Sequence, residues 1–109
     1  MLKSIEFCGH TLRIIKDFPV LVRHEIGHQL DKVQRGLTPT DWKPMASVGK
    51  GTREIRIHER GQYRVIYLAN YGNTVYVLHT FRKKTRKTRQ SDIKLARVAL
   101  NNLLLRNKS

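Results

Sequence analysis

The chain has 109 residues, with 22 Lys and Arg against 8 Asp and Glu and a formal net charge of +14. That length supports one domain, residues 1–109, with a core that needs no staples, and the charge calls for a polyanion or an acidic protein as partner. Cys8 stands alone, which excludes an internal disulfide and an all-cysteine metal site, while no apolar run approaches the roughly 20 residues of a membrane span and MLKSIEFCGH has no signal-peptide core, so a soluble, cytoplasmic protein is expected.

Residues 2–8 alternate weakly, with Leu2, Ile5 and Phe7 apolar, and predict a first strand ending at Gly9. A short apolar piece covers residues 12–15. Pro19 suits the first turn of a helix whose apolar face is Val22, Ile26, Leu30 and Val33, extended by Phe18 and Leu21 and ending near Gly36. Residues 37–51, with two prolines, two glycines and the lone Trp42, read as a structured connection with one helical turn after Thr40. Strands are predicted over residues 53–58, 62–69 and 74–81, joined by short Gly-containing hairpin loops at 59–61 and 70–73. Ser91 is the expected cap of a last helix with Asp92 in its first turn and Ile93, Ala96, Leu100, Leu103 and Leu104 on its buried face. The order predicts an α+β fold: a small antiparallel sheet, made of the N-terminal strand and a three-stranded meander, with helices packed on one face and the other face free.

The charge is uneven. Residues 1–52 carry 8 basic and 5 acidic side chains, whereas residues 53–109 carry 14 and 3. Its peak is HTFRKKTRKTR, residues 79–89, in which six of the eight residues from Arg82 onward are Lys or Arg. The run follows the strand-like TVYVL, so its first charges would be held in place and could position a phosphate as well as attract one. Arg53, Arg82, Arg86, Lys87 and Arg89 are the expected RNA-binding cations, and Tyr63 and Phe81 are aromatics that could stack on bases.

HEIGH, residues 24–28, matches the H-E-x-x-H pattern of zinc metalloproteases. However, His24 and His28 each lie two residues from a member of the apolar stripe, a rotation of about 200°, so both should face water. Neither a third ligand nor a cleft is evident.

In the meander, symmetric loops would place Arg56 opposite Arg64 and Arg64 opposite His79, one row across three strands with Glu54 and His58 on the same face. Like charges placed opposite each other destabilise a sheet, and the row makes sense if an anion sits over it. Such a set could cleave RNA without a metal. A base takes the 2′-OH proton, cations stabilise the phosphoryl oxygens, and an acid protonates the departing 5′-oxygen. Arg56 and Arg64 suit the middle role, His79 is the best acid or base by its ordinary pKa, and a Lys among other cations would have its pKa lowered toward usefulness. Asp and Glu are few and scattered, which argues against a two-metal nuclease, and no cofactor is expected.

QL and VQRGL within residues 29–37, DWKPM at 41–45, GKGTREIRI at 49–57, YRVIY at 63–67 and VYVLHTFRKKTRKT at 75–88 together resemble the phage-derived, HigB-like toxins of the RelE/ParE superfamily, over about residues 18–100. The resemblance implies a RelE-like fold and a type II toxin encoded beside its antitoxin, a helix-turn-helix DNA-binding protein that blocks the toxin, in an assembly that can be a heterotetramer. It also implies ribosome-dependent cleavage of mRNA. By motif position the site residues are Arg56, Arg64, His79, Lys83 and Lys84. The chain departs from many relatives at Arg82, where they carry Gln, and in ARVAL, residues 96–100, where they carry an Arg-Tyr pair, which leaves the identity of the general base open. Two other classes stay in view: a ParE-like inhibitor of DNA gyrase that cleaves nothing, and a noncatalytic nucleic-acid-binding module.

Overall fold

The computed structural model describes residues 2–107. Its strands are β1 (Ser4–Phe7), β2 (Trp42–Pro44), β3 (Thr52–His58), β4 (Gln62–Tyr71) and β5 (Thr74–Lys83), and its helices are α1 (Thr11–Lys16), α2 (Val20–Gln34) and α3 (Gln90–Arg106). One sheet forms in the order β1-β5-β4-β3-β2. The expected α+β class holds, but the sheet is mixed, because β1 runs parallel to β5 while the other pairs are antiparallel. The α1–α2 segment gives the chain length to return before the meander, as a parallel pairing requires. The segment expected as a connection with a helical turn instead adds the edge strand β2, with Pro44 at its last position where a missing N–H is tolerated.

α2 buries Val22, Ile26, Leu30 and Val33, as their spacing predicts; Pro19 precedes its first turn, Phe18 packs partly buried against the core, and Leu21 points to solvent. These residues pack with Ile55, Ile57, Val65, Tyr67 and Val77 on one face of the sheet. A second core lies on the other face, where Ile93, Ala96, Leu100 and Leu103 of α3 meet Ile66, Leu68, Leu78 and Phe81. Both faces are therefore covered, which corrects the expectation of helices on one face only. Neighbouring residues of β4 point to opposite faces, and the unbroken buried run from Val65 to Leu68 needs a layer on each side. α3 starts at Gln90 with the extended Arg89 before it, and Ser91 does not cap it; Asp92 does lie in the first turn. No described helix is long and apolar enough to cross a membrane.

The first hairpin has the expected register, from His58 opposite Gln62 to Thr52 opposite Leu68. The second does not. Its strands extend to Tyr71 opposite Thr74, leaving Gly72 and Asn73 as the turn, with Gly72 at φ 69° where a side chain would be strained. Between Ile66 and Tyr67 the partner jumps from His79 to Val77, so Leu78 is an extra residue. That bulge turns Leu78 and Tyr76 toward α3 while Val77 and Val75 face α2.

Candidate functional site

On the α3 face of the sheet, Arg56 lies opposite Arg64 and Arg64 lies opposite Phe81, not His79. His79 pairs with Ile66 in the adjacent row, which on β3 belongs to Glu54. The tighter turn shifts the pairing by two residues relative to symmetric loops, so the predicted row ends at its second strand. On β2, Lys43 lies opposite Glu54 and joins the group from the far edge.

The centre of the site is Glu54, whose side chain is 0% exposed. Its Oε1 lies 3.6 Å from Arg64 Nε, 3.8 Å from Arg56 Nε and 3.9 Å from Lys43 Nζ. None of these approaches is a hydrogen bond, and Oε1 and both Nε atoms are buried without a hydrogen-bond partner. Thr88 Oγ1 donates to Glu54 Oε2 at 3.4 Å, which brings the basic loop back over the carboxylate. Arg64 is 5% exposed and donates from Nη1 to the carbonyl of Tyr63 at 3.0 Å. Its pKa is lowered, first by burial and then by Arg56, while Glu54 and Asp41 oppose the shift.

Lys83 lies at the end of β5, opposite Gln62, and lines the basic cleft beside the group. Burial lowers its pKa most, Arg64 lowers it next, Glu54 pulls it back, and Lys43 and Arg56 lower it further. Three cations thus converge on one carboxylate with Lys83 further along the same face, an excess of positive charge in a partly dehydrated place, and such an arrangement is complementary to a phosphate. The folded chain also holds the Lys83 proton more weakly than the unfolded chain does. Protonated Lys83 therefore costs stability at neutral pH, and stability should rise as pH climbs through the lowered folded value toward the ordinary 10.5. Lys83→Gln should flatten that alkaline rise in thermal unfolding followed against pH; an unchanged profile would place the lysine in bulk water.

His79 is held elsewhere. Its Nε2 lies 2.8 Å from Asp92 Oδ1, and its ring stacks on Phe81 with centroids 5.4 Å apart. It lines the groove between α1 and α3, whereas the basic cleft of 260 Å³ is lined by Phe81, Arg82, Lys83, Lys84, Thr85, Arg89 and Asp92. The pair is a tie between β5 and the first turn of α3. Asp92→Ala should cost about 1–2 kcal/mol in chemical denaturation, the loss of a charge-assisted hydrogen bond; no loss would mean that the pair is not formed in solution.

The remaining predicted residues divide by place. Lys84, Arg82 and Arg89 line the cleft, and Arg86 and Lys87 are exposed on the loop beside it. Arg53 lies on the α2 face, its guanidinium 4.1 Å from the centre of the Trp42 ring. Tyr63 is buried in the α2-side core, 4.9 Å from Phe18 between ring centroids, and Phe81 is buried under α3, so neither offers an open ring to a base. Sequence reasoning placed Glu54 on this face but did not see it as the centre, and it missed Lys43 and Thr88. A lone carboxylate between two strand arginines was the legible signal; the β2 and loop contributions left none. His24 and His28 are exposed, and no three His, Cys, Asp or Glu side chains gather as a metal site among the described residues.

The fold defines a small α+β protein compatible with the RelE-like fold, with a cationic cluster on the α3 face of its sheet. The model of the family described as Phage derived protein Gp49-like (DUF891) matches residues 13–101. The chain belongs to that family, which is associated with RelE-like toxins. No curated protein matches it.

Proposed function

We propose that this protein is the toxin of a type II toxin-antitoxin pair and an endoribonuclease that cuts mRNA on the ribosome. The observation that carries the reading is the convergence of Lys43, Arg56 and Arg64 on the buried Glu54, beside a basic cleft that Lys83 lines. Family membership supports the toxin class.

In this reading the scissile phosphate sits over Arg56, which is half-exposed, with Arg64 beneath it fixing the local charge. Glu54, buried beneath the two guanidinium groups, offsets part of their charge without bonding them, and a base supplied at the docked site takes the proton from the 2′-OH. That oxygen attacks phosphorus in line, the bond to the 5′-oxygen breaks, and Lys83, made more acidic by its surroundings, delivers a proton to the leaving oxygen. The products are a 2′,3′-cyclic phosphate and a free 5′-OH. Lys84, Arg82, Arg86, Lys87 and Arg89 bind ribosomal RNA, and docking on the ribosome supplies the alignment that a site with no strong base needs. The partner that restrains it is a helix-turn-helix antitoxin.

Mapping of mRNA 5′ ends shortly after induced expression tests the reading. New ends inside translated regions, carrying 5′-OH and absent when translation is blocked beforehand, are the expected result. Growth arrest without new ends would sink the nuclease and make gyrase the next target to assay.

A further inference from the structure

The α2 face of the sheet carries a cavity of 550 Å³ that the anion site does not use. It lies where β3 begins and β4 ends, beside the C-terminal end of α2. Its lining includes Lys3, Leu37, Trp42, Lys50, Arg53 and Tyr67, and contains no Asp or Glu. Tyr67 is 1% exposed, and its hydroxyl has no hydrogen-bond partner, a rare condition for a buried donor. Burial raises its pKa and keeps it an O–H donor; Arg53 beside it partly offsets that rise without completing a hydrogen bond of ordinary geometry. The Trp42 ring fixes the guanidinium of Arg53 from one side. The cavity therefore offers an orphaned donor, a positioned guanidinium and an exposed Lys50, against an apolar wall that includes the exposed Leu37.

We propose that this cavity binds a side-chain carboxylate of a partner protein, carried on an acidic peptide segment with apolar residues beside it. A carboxylate can accept from both Tyr67 and Arg53, and the flanking apolar residues bury Leu37 and Trp42. A strand of RNA fits less well, since ribose and phosphate leave the apolar wall unmatched and Arg53 already covers one face of the indole. An acidic partner also complements a chain with 22 basic and 8 acidic residues. The site stands whether or not the α3-face cluster cleaves RNA. It is nevertheless its neighbour: along β2 and β3, Trp42 and Arg53 line the cavity while Lys43 and Glu54 belong to the cluster on the opposite face.

A heteronuclear NMR titration of the full chain with acetyl-Leu-Glu-Leu-amide, set beside the same peptide with Gln in place of Glu, is the test. The Glu peptide should shift the Trp42 indole N–H, the Arg53 Nε–H and the Gly51 amide saturably, and bind about tenfold more tightly than the Gln peptide, the difference expected of one charged hydrogen-bonded contact. Arg53→Gln should abolish the Trp42 and Gly51 shifts, and Arg56→Gln, which removes the same charge from the other face, should keep them. Tyr67→Phe should stay folded and bind about five- to tenfold more weakly. Equal binding of the two peptides, equal losses in the two arginine variants, no saturable shift, or the same resonances answering a tetranucleotide RNA at lower concentration would each overturn the proposal.

Discussion

Glu54→Gln should lower the unfolding free energy by about 3–5 kcal/mol, the cost of leaving buried charges without their counter-ion. The amide keeps the shape of the side chain and removes only the charge. Arg64 then stays almost fully buried, with Arg56 and Lys43 repelling it and no anion among them. For a domain of this size the loss is a large share of a total of about 5–15 kcal/mol and should lower the unfolding midpoint by on the order of 15 °C. Phosphate or sulfate should return part of it, because an anion that binds only the folded cluster stabilises by mass action. Chloride at the same ionic strength should return little, since screening alone barely reaches buried charges. Differential scanning calorimetry of both proteins in the three salts measures this. A variant as stable as the parent, with no preference among anions, would show that these cations are solvated and the site is not preorganised.

Arg56→Ala should lower cleavage by about 10²–10³-fold, the size seen when one preorganised donor to a transition-state oxyanion is removed. Its side chain is 34% exposed against 0% for Glu54, so the same change should cost less stability than Glu54→Gln. Single-turnover cleavage of mRNA on programmed ribosomes, read together with thermal unfolding, separates the two effects. Arg64 is a poorer probe, although it is the arginine a sequence-based test would choose first. It is 5% exposed and the closest of the three cations to Glu54 Oε1, so Arg64→Ala should cost stability and activity together. Full activity in folded Arg56→Ala would move the chemistry away from this cluster.

Several features are readable in the sequence because they depend on near neighbours in the chain. Val22, Ile26, Leu30 and Val33 declare a helix face by spacing, and the same spacing sends His24 and His28 to solvent. The three-residue loop at 59–61 sets the first hairpin, which is why loop length alone suffices to pair Arg56 with Arg64. The second hairpin departs from expectation for a local reason too, because its strands run on to a two-residue turn and a bulge at Leu78 rephases β5. One missed feature was visible. The run from Val65 to Leu68 is apolar on both sides of its strand, which is the signature of a sheet covered on two faces, and the apolar stripe of α3 supplies the second cover.

By itself, the sequence determined the α+β class, the long helices and the three-stranded meander, the concentration of positive charge in the second half and the facing arginines of the first hairpin, since periodicity, turn length and composition all act over short distances. Only the tertiary structure decided that Glu54 is buried beneath those arginines, that Lys43 approaches it from the edge strand, and that His79 belongs to Asp92. Those outcomes follow from which layer covers which face, because the cost of burying a charge depends on everything packed around it, and that surrounding is drawn from across the whole chain.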